Sequence, residues 1–253
     1  MIKDERLRVI LDKVRESGKT TVYDLSDHFG VSDITIRRDL KELSEQGLVR
    51  RAHGGAVYAV DEIEEPSVIQ RLLQNRDCKE RIGQAAAALV EDEDTVFIGS
   101  GSTATYVARH LLERKNLTVI TNAVNIASEL APAEGITVVV LGGMLRASEL
   151  SMVGHITELA LHEVRMDKVI IGIKAVSLKS GLTSDYLPEV MTDRKILEMA
   201  SKLIIVADHT KFDKVASAYV APVQRVTTLV TDNQANSEIL EQIRALGVEV
   251  VAV

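Results

Sequence analysis

The chain has 253 residues, of which 46% are hydrophobic and 26% charged, with a formal net charge of −7. That is enough apolar material for one large core and one small one, so two domains are expected. No apolar run approaches the roughly 20 residues a membrane helix needs, and the N-terminus has no signal-peptide pattern, so a cytoplasmic protein without a membrane partner is expected. A lone Cys78 excludes an internal disulfide framework and a cysteine-rich metal site, and neither a metal nor a cofactor is expected. The charge is unevenly divided: residues 1–58 hold 11 Lys and Arg against 10 Asp and Glu, the remainder 19 against 27. The acidity therefore belongs to the C-terminal part, and local field rather than total charge steers binding to phosphate.

In chain order, Leu7, Ile10, Leu11 and Val14 recur at helical spacing and give a first helix one apolar stripe, ending near Ser17 and Gly18. Thr20 or Thr21 is placed to cap a short second helix with Val22, Leu25 and Phe29 inward, and Gly30 gives a sharp turn. Ser32 then caps a third helix, expected over 32–46, in which Ile36, Leu40 and Leu43 form the buried stripe and Gly47 the stop. The opposite face carries Ile34, Arg37, Arg38 and Lys41, the layout of a helix held by its back while its front meets an anion. Asp39 beside phosphates would be repelled, so it reads as a group that orients a neighbouring Arg or helps hold the helix. Two short strands, 48–51 and 56–58, follow, joined through His53, Gly54 and Gly55. Short helix, turn, basic helix and hairpin make a winged helix-turn-helix. Taken alone, the third helix would fit a solvated amphipathic helix equally well.

Residues 1–58 form the first expected domain. An acidic stretch ending at Pro66 marks a linker over 59–75, and 76–253 form the second domain. After a helix at 78–90, strands are expected at 95–98, 117–121, 137–141, 168–172, 203–207, 227–231 and 248–253. Helices at 104–114, 124–130, 156–163, 189–201 and 237–246 fall between them. This alternation predicts an α/β fold with a mostly parallel sheet, which binds ligands beyond the carboxyl ends of its strands.

The strongest ligand signal lies at the end of the first of those strands, in Gly99, Ser100, Gly101, Ser102 and Thr103. Two glycines allow close backbone approach, three hydroxyls offer hydrogen bonds, and the next helix points its amides at the loop, which together suit an anion. A capped strand-to-helix turn without a ligand is the alternative. Further strand ends bring Asn122, Arg146 after Gly142 and Gly143, Lys174 after Gly172, and Lys211 after Asp208. The run 181–189 is either a contact loop or a hairpin.

Two sets of residues resemble the DeoR family of bacterial transcriptional repressors. The first is Val31, Ser32, Thr35 to Leu40, Leu43, Gly47 and Arg51 to Ala56; the second is Gly99 to Thr103, Thr121, Asn122, Leu141 to Gly143, Val153, Gly154, Gly181 to Thr183 and Val206 to Phe212. The resemblance implies a recognition helix in DNA, with Ser32, Thr35, Arg37, Arg38 and Lys41 on it and Arg50, Arg51 and His53 on the wing. It also implies a sugar-phosphate domain related in fold to ribose-5-phosphate isomerase. There Gly99, Ser100, Gly101, Ser102 and Thr103 would hold phosphate, with Asn122, Arg146, Lys174 and Lys211 lining the pocket. Where the family usually has Asp followed by Gly after the fourth strand, this chain has Lys174, which favours an effector with a second anionic or carbonyl group. The expected partners are an operator in double-stranded DNA, a phosphorylated sugar or sugar-acid effector, and further copies of the chain in a homodimer or homotetramer. No catalytic residue is expected; the competing reading is a sugar-phosphate isomerase or deaminase, with Asp185, Glu189 or Asp208 as its base.

Overall fold

The computed structural model describes residues 3–17, 19–45, 48–52, 54–58 and 66–253. The chain forms two compact units, Met1–Glu65 and Pro66–Val253. The first contains α1 (Lys3–Ser17), β1 (Lys19–Thr21), α2 (Val22–Phe29), α3 (Asp33–Glu45), β2 (Val49–Ala52) and β3 (Gly55–Tyr58). Its core is the inward stripes read from helical spacing: Ile10 and Val14 of α1, Val22 and Leu25 of α2, Ile36, Leu40 and Leu43 of α3. Each such side chain removed from water contributes about 1.5–3 kcal/mol, the main force holding so small a unit together. Thr21 caps α2, its Oγ1 accepting the Asp24 amide at 3.0 Å.

The wing differs from expectation in one respect. β1 pairs antiparallel with β3, so the sheet has three strands in the order β1-β3-β2. Gly55 serves this pairing: a Cβ there would lie 2.1 Å from the Thr20 carbonyl oxygen, so any larger residue would push β3 off β1. Gly18, Gln46, Gly47 and His53 lie outside the described residues, as do the side chains of Arg50 and Arg51.

In the second unit, α4 (Val68–Leu72), α5 (Arg76–Ala87), β4 (Thr95–Ile98), α6 (Ser102–Arg109), β5 (Leu117–Thr121), α7 (Val124–Leu130) and β6 (Ile136–Val140) come first. Then follow β7 (Met144–Arg146), β8 (Ser151–Val153), α8 (His155–Leu161), β9 (Lys168–Gly172), β10 (Ala175–Ser177), β11 (Gly181–Ser184) and α9 (Leu187–Met199). The chain ends with β12 (Lys202–Val206), β13 (Ala218–Ala221), β14 (Thr228–Thr231), α10 (Ser237–Ala245) and β15 (Glu249–Ala252). The expected linker over 59–75 therefore ends by Pro66. Ser67 and Gln70 cap α4 reciprocally, and the buried Val68 donates its amide to the Ser148 carbonyl at 2.7 Å.

Seven strands form one sheet in the order β15-β14-β12-β9-β4-β5-β6, every pair parallel. Its strands are apolar on both faces, as a sheet covered on both sides requires. Val96, Ile98, Val119, Ile170, Ile204 and Val206 face a layer made by α5, α6 and α7. Phe97, Ile120, Val169, Ile171, Leu203 and Ile205 face the other layer, with Leu161 of α8, Val190 and Ile196 of α9, and Leu240 and Ile243 of α10. The run 181–189 is neither a free loop nor a simple hairpin: β11 is the middle strand of a small antiparallel sheet, β10-β11-β13, and leads into α9. Among the described residues no helix is long and apolar enough to cross a membrane.

Candidate functional site

The first unit presents α3. Ser32 starts it, its carbonyl accepting the amides of Thr35 at 2.9 Å and Ile36 at 3.2 Å. The Ser32 and Thr35 hydroxyls lie 3.0 Å apart and bond to each other. With Ile36, Leu40 and Leu43 inward, the 3.6-residue period turns Arg37, Arg38 and Lys41 outward, and all three are exposed, with Ile34 70% exposed beside them. Asp39 faces the other way. It is 2% exposed and takes a two-toothed grip from Arg6, at 2.6 Å from Nε and 3.2 Å from Nη2, so it holds α3 to α1. The Asp39 hydrogen bond holds the Arg6 guanidinium above its ordinary pKa.

In the second unit the sheet changes direction between β4 and β9: the chain runs outward through β5 and β6 on one side and through β12, β14 and β15 on the other. In parallel sheets the loops on either side of such a reversal diverge at the carboxyl ends, and ligands bind there. The loop of Gly99, Ser100 and Gly101 lies at that point, with the Gly99 amide donating to the Ile170 carbonyl at 2.9 Å. Gly101 has a φ of 121°, a conformation side-chain-bearing residues rarely adopt, and it sets the start of α6, which has no side-chain cap. Ser102 and Thr103 are each only 6% exposed, and among the described residues neither hydroxyl has a hydrogen-bond partner. An uncapped eight-residue helix start with two such hydroxyls has the donors and the dipole an anion needs.

Ser100 is used differently from Ser102 and Thr103. Its hydroxyl donates to Glu189 Oε1 at 3.2 Å, and Ser151 donates to the same oxygen at 2.7 Å. Arg146 pairs with Glu189 Oε2 and lies over the Tyr186 ring, 4.5 Å from its centre. The sequence thus found Arg146 but not that a buried carboxylate neutralises it. Next to this pair the Asp193 carboxyl is pushed well above the usual range by burial and by Glu189. Glu149, 5% exposed, pairs with Arg71. Asn122 is 1% exposed; its Nδ2 donates to the Met152 carbonyl at 2.9 Å, while its Oδ1 has no partner among the described residues. A buried orphan acceptor is where a ligand hydroxyl or a water is expected.

A cationic group stands at the end of β12. Asp208 caps the turn His209–Lys211 by accepting the Thr210 amide at 2.9 Å. Its carboxyl lies below the ordinary value: burial pushes it up, and the Thr210 hydrogen bonds with the charges of Lys211 and Lys79 outweigh that. Burial lowers the Lys211 ammonium, with the charges of Arg71, Lys174 and Lys214 adding to that and Asp208 opposing it. Lys79 of α5 donates at 2.6 Å to the carbonyls of Arg71 and Gln74, and burial brings its pKa down to about 8. Lys174 pairs with Asp185 at 3.2 Å. Sequence reasoning missed Lys79, since a lysine in an amphipathic helix looks like any surface lysine. Of the three acids considered as bases, only Glu189 touches the serine loop. Asp185 is held by Lys174, and Asp208 by the turn it caps.

Residues 6–62 match the model of a DeoR-like helix-turn-helix domain, and residues 74–233 that of the DeoR C terminal sensor domain. The chain is 34% identical to the transcriptional repressor AccR of Agrobacterium fabrum, over 90% of this chain and 89% of the relative. It is 33% identical to the glycerol-3-phosphate regulon repressor of Escherichia coli, over 92% of each. Among solved structures it is similar to ribose 5-phosphate isomerase A from Methanocaldococcus jannaschii, with a TM-score of 0.42 and 19% identity over 55% of each chain.

Proposed function

The chain belongs to the DeoR family of transcriptional regulators, and on that premise we propose that it represses a carbohydrate-utilisation operon under the control of a phosphorylated sugar or sugar-acid effector. The observation that carries the effector half is the uncapped start of α6, where the buried Ser102 and Thr103 hydroxyls have no partner among the described residues. In this reading the phosphate sits on those amides and hydroxyls. Asn122 Oδ1 accepts a sugar hydroxyl, and the group of Lys211 and Lys174 attracts a second negative or carbonyl group. Arg146 serves through Glu189 rather than as a free cation.

For the DNA half, Arg37, Arg38 and Lys41 contact the operator from α3, Ser32 and Thr35 sit at the end of the helix nearest the groove, and Arg50, Arg51 and His53 lie on the wing. A single module of this size covers too little DNA for specificity, so the chain acts as a homodimer or homotetramer. The effector controls repression by binding two arrangements of the protomers with different affinity. No turnover is expected, because Glu189, the acid at the serine loop, is occupied by Arg146 and two serines. Phosphorylated sugars and sugar acids should be screened against the full chain by thermal shift, since a ligand that binds only the folded state raises the melting temperature. A hit that Ser102→Glu abolishes supports the site, and an equal shift in that variant sinks it. Conversion of an aldose phosphate to its ketose by the wild type would overturn the non-enzymatic reading.

A further inference from the structure

Beyond the carboxyl ends of β12 and β14, three side chains far apart in the chain meet. Cys78 lies near the start of α5, His209 opens the turn after β12, and Asp232 follows β14. One donor atom of each lies within 4.8 Å of the other two. We propose that Cys78, His209 and Asp232 form a binding site for a single transition-metal ion of the zinc class.

The donor set fits that class. A thiolate and an imidazole select a borderline ion such as Zn²⁺ over Mg²⁺ or Ca²⁺, which take oxygen ligands. In a tetrahedral site with metal–ligand bonds of ~2.0–2.3 Å, donors stand about 3.5 Å apart, so even a pair at 4.8 Å closes by only about 1.3 Å. The donors are also oriented from behind. Asp232 is fully buried, and its Oδ2 accepts the His209 amide at 2.9 Å while Oδ1 accepts the Gln234 amide at 2.9 Å. The His209 Nδ1 and Asp232 Oδ1 lie 3.0 Å apart; as the ion enters, this contact widens toward the ~3.5 Å between two ligands of one ion, the ring binding through Nδ1 with its proton on Nε2. Gln234 Nε2 donates to Cys78 Sγ at 3.2 Å, a hydrogen bond that favours the thiolate a metal requires. Such supporting bonds are what fix ligands in metal sites.

A fourth position opens to water. A surface depression lined by Asn75, Arg76, Asp77, Arg81 and Gln234 reaches Cys78. Arg81, exposed and 3.9 Å from the sulfur, can swing outward as a doubly charged ion enters. On binding, sulfur forms a bond to the ion and the thiol proton passes to solvent. His209 binds as the neutral ring, and the thiolate and carboxylate balance the charge of the ion. Because the thiol proton leaves as the ion binds, uptake strengthens with rising pH. Because the turn that opens with His209 closes with Lys211, the ion would brace one wall of the effector site.

The test is a cobalt titration of the full chain after its metals have been removed with a chelator. Wild type should take up one Co²⁺ per chain with a near-ultraviolet thiolate-to-cobalt band and visible bands of tetrahedral cobalt, and equimolar Zn²⁺ should erase both. Cys78→Ser should lose the near-ultraviolet band, and His209→Gln should weaken uptake by more than about tenfold. Both variants should melt like wild type without metal. If Cys78→Ser does not fold, His209→Gln decides alone. A wild-type protein with no stoichiometric band, a Cys78→Ser spectrum like wild type, or undiminished uptake by His209→Gln would overturn the site.

Discussion

The two units deploy their cations in opposite ways. On α3, Arg37, Arg38 and Lys41 are exposed, and the inward Asp39 is held by Arg6 on the core side of the helix. In the second unit the cations nearest the serine loop and the end of β12 are largely buried and set against carboxylates: Arg146 against Glu189, Arg71 against Glu149, Lys211 near Asp208. Exposed cations act at a distance, are screened by salt and suit a polymer of phosphates. Buried, paired ones bind only what can replace or complement their partner, which suits one small molecule. In the proposed reading, one chain thus holds a long-range, weakly discriminating surface and a short-range, strongly discriminating one.

The largest effect expected is on the discriminating side. Ser102→Glu puts a carboxylate among the α6 amides and should remove the whole ligand-induced stabilisation, about 2.7 kcal/mol for wild type at a ligand concentration of 100 Kd. A residual thermal shift would place the anion elsewhere. Next comes the link between α1 and α3. Asp39→Ala strands Arg6 at the core edge and should cost about 2–3 kcal/mol, the range for losing a hydrogen-bonded charge partner. Hydrogen exchange should show that loss in the first unit and leave the β9 and β12 amides of the second unchanged.

On the exposed side, Arg38→Ala should weaken operator binding by about 1–2 kcal/mol and lower the salt slope by about one if Arg38 meets a phosphate. Unchanged affinity would mean that α3 docks on another face. The last effect is a pH dependence and concerns Lys79, whose folded pKa of about 8 lies below its ordinary 10.5. Between those values the unfolded chain binds the proton that the folded one has lost, so this group raises stability as pH climbs from about 8 to 10.5. Below pH 8 both states are charged and the full cost of burial is present. The difference in melting temperature between wild type and Lys79→Met should therefore grow in favour of wild type across that window and stay flat below it.

Most of the scaffold was legible because it rests on period. Ile36, Leu40 and Leu43 mark the inward face of α3, and that alone turns Arg37, Arg38 and Lys41 outward. The seven parallel strands stand out as short apolar runs between helical stretches. What escaped has no local period. β1 is three residues long, and only its pairing with β3 makes it a strand. The β10-β11-β13 sheet joins pieces of three or four residues, with its register shifting between Leu182 and Thr183.

Of the candidate site, the serine loop stands out in the sequence and its tertiary partners do not. Glu189 lies 89 residues from Ser100 and 43 from Arg146, and no spacing rule links groups that only the tertiary fold brings together. The sequence therefore placed Arg146 in the pocket lining without its carboxylate partner. Cys78 likewise showed no partner in the sequence, since Gln234, which donates to it, stands 156 residues away.

Division of labour between the two units is tested most directly by operator affinity, measured with and without the sugar phosphate that stabilises the full chain, in wild type and in Ser102→Glu. The expected result is a change of tenfold or more on adding ligand to wild type and none in the variant, which still binds operator as ligand-free wild type does. A variant that responds to the ligand as wild type does would contradict an effector site at the start of α6.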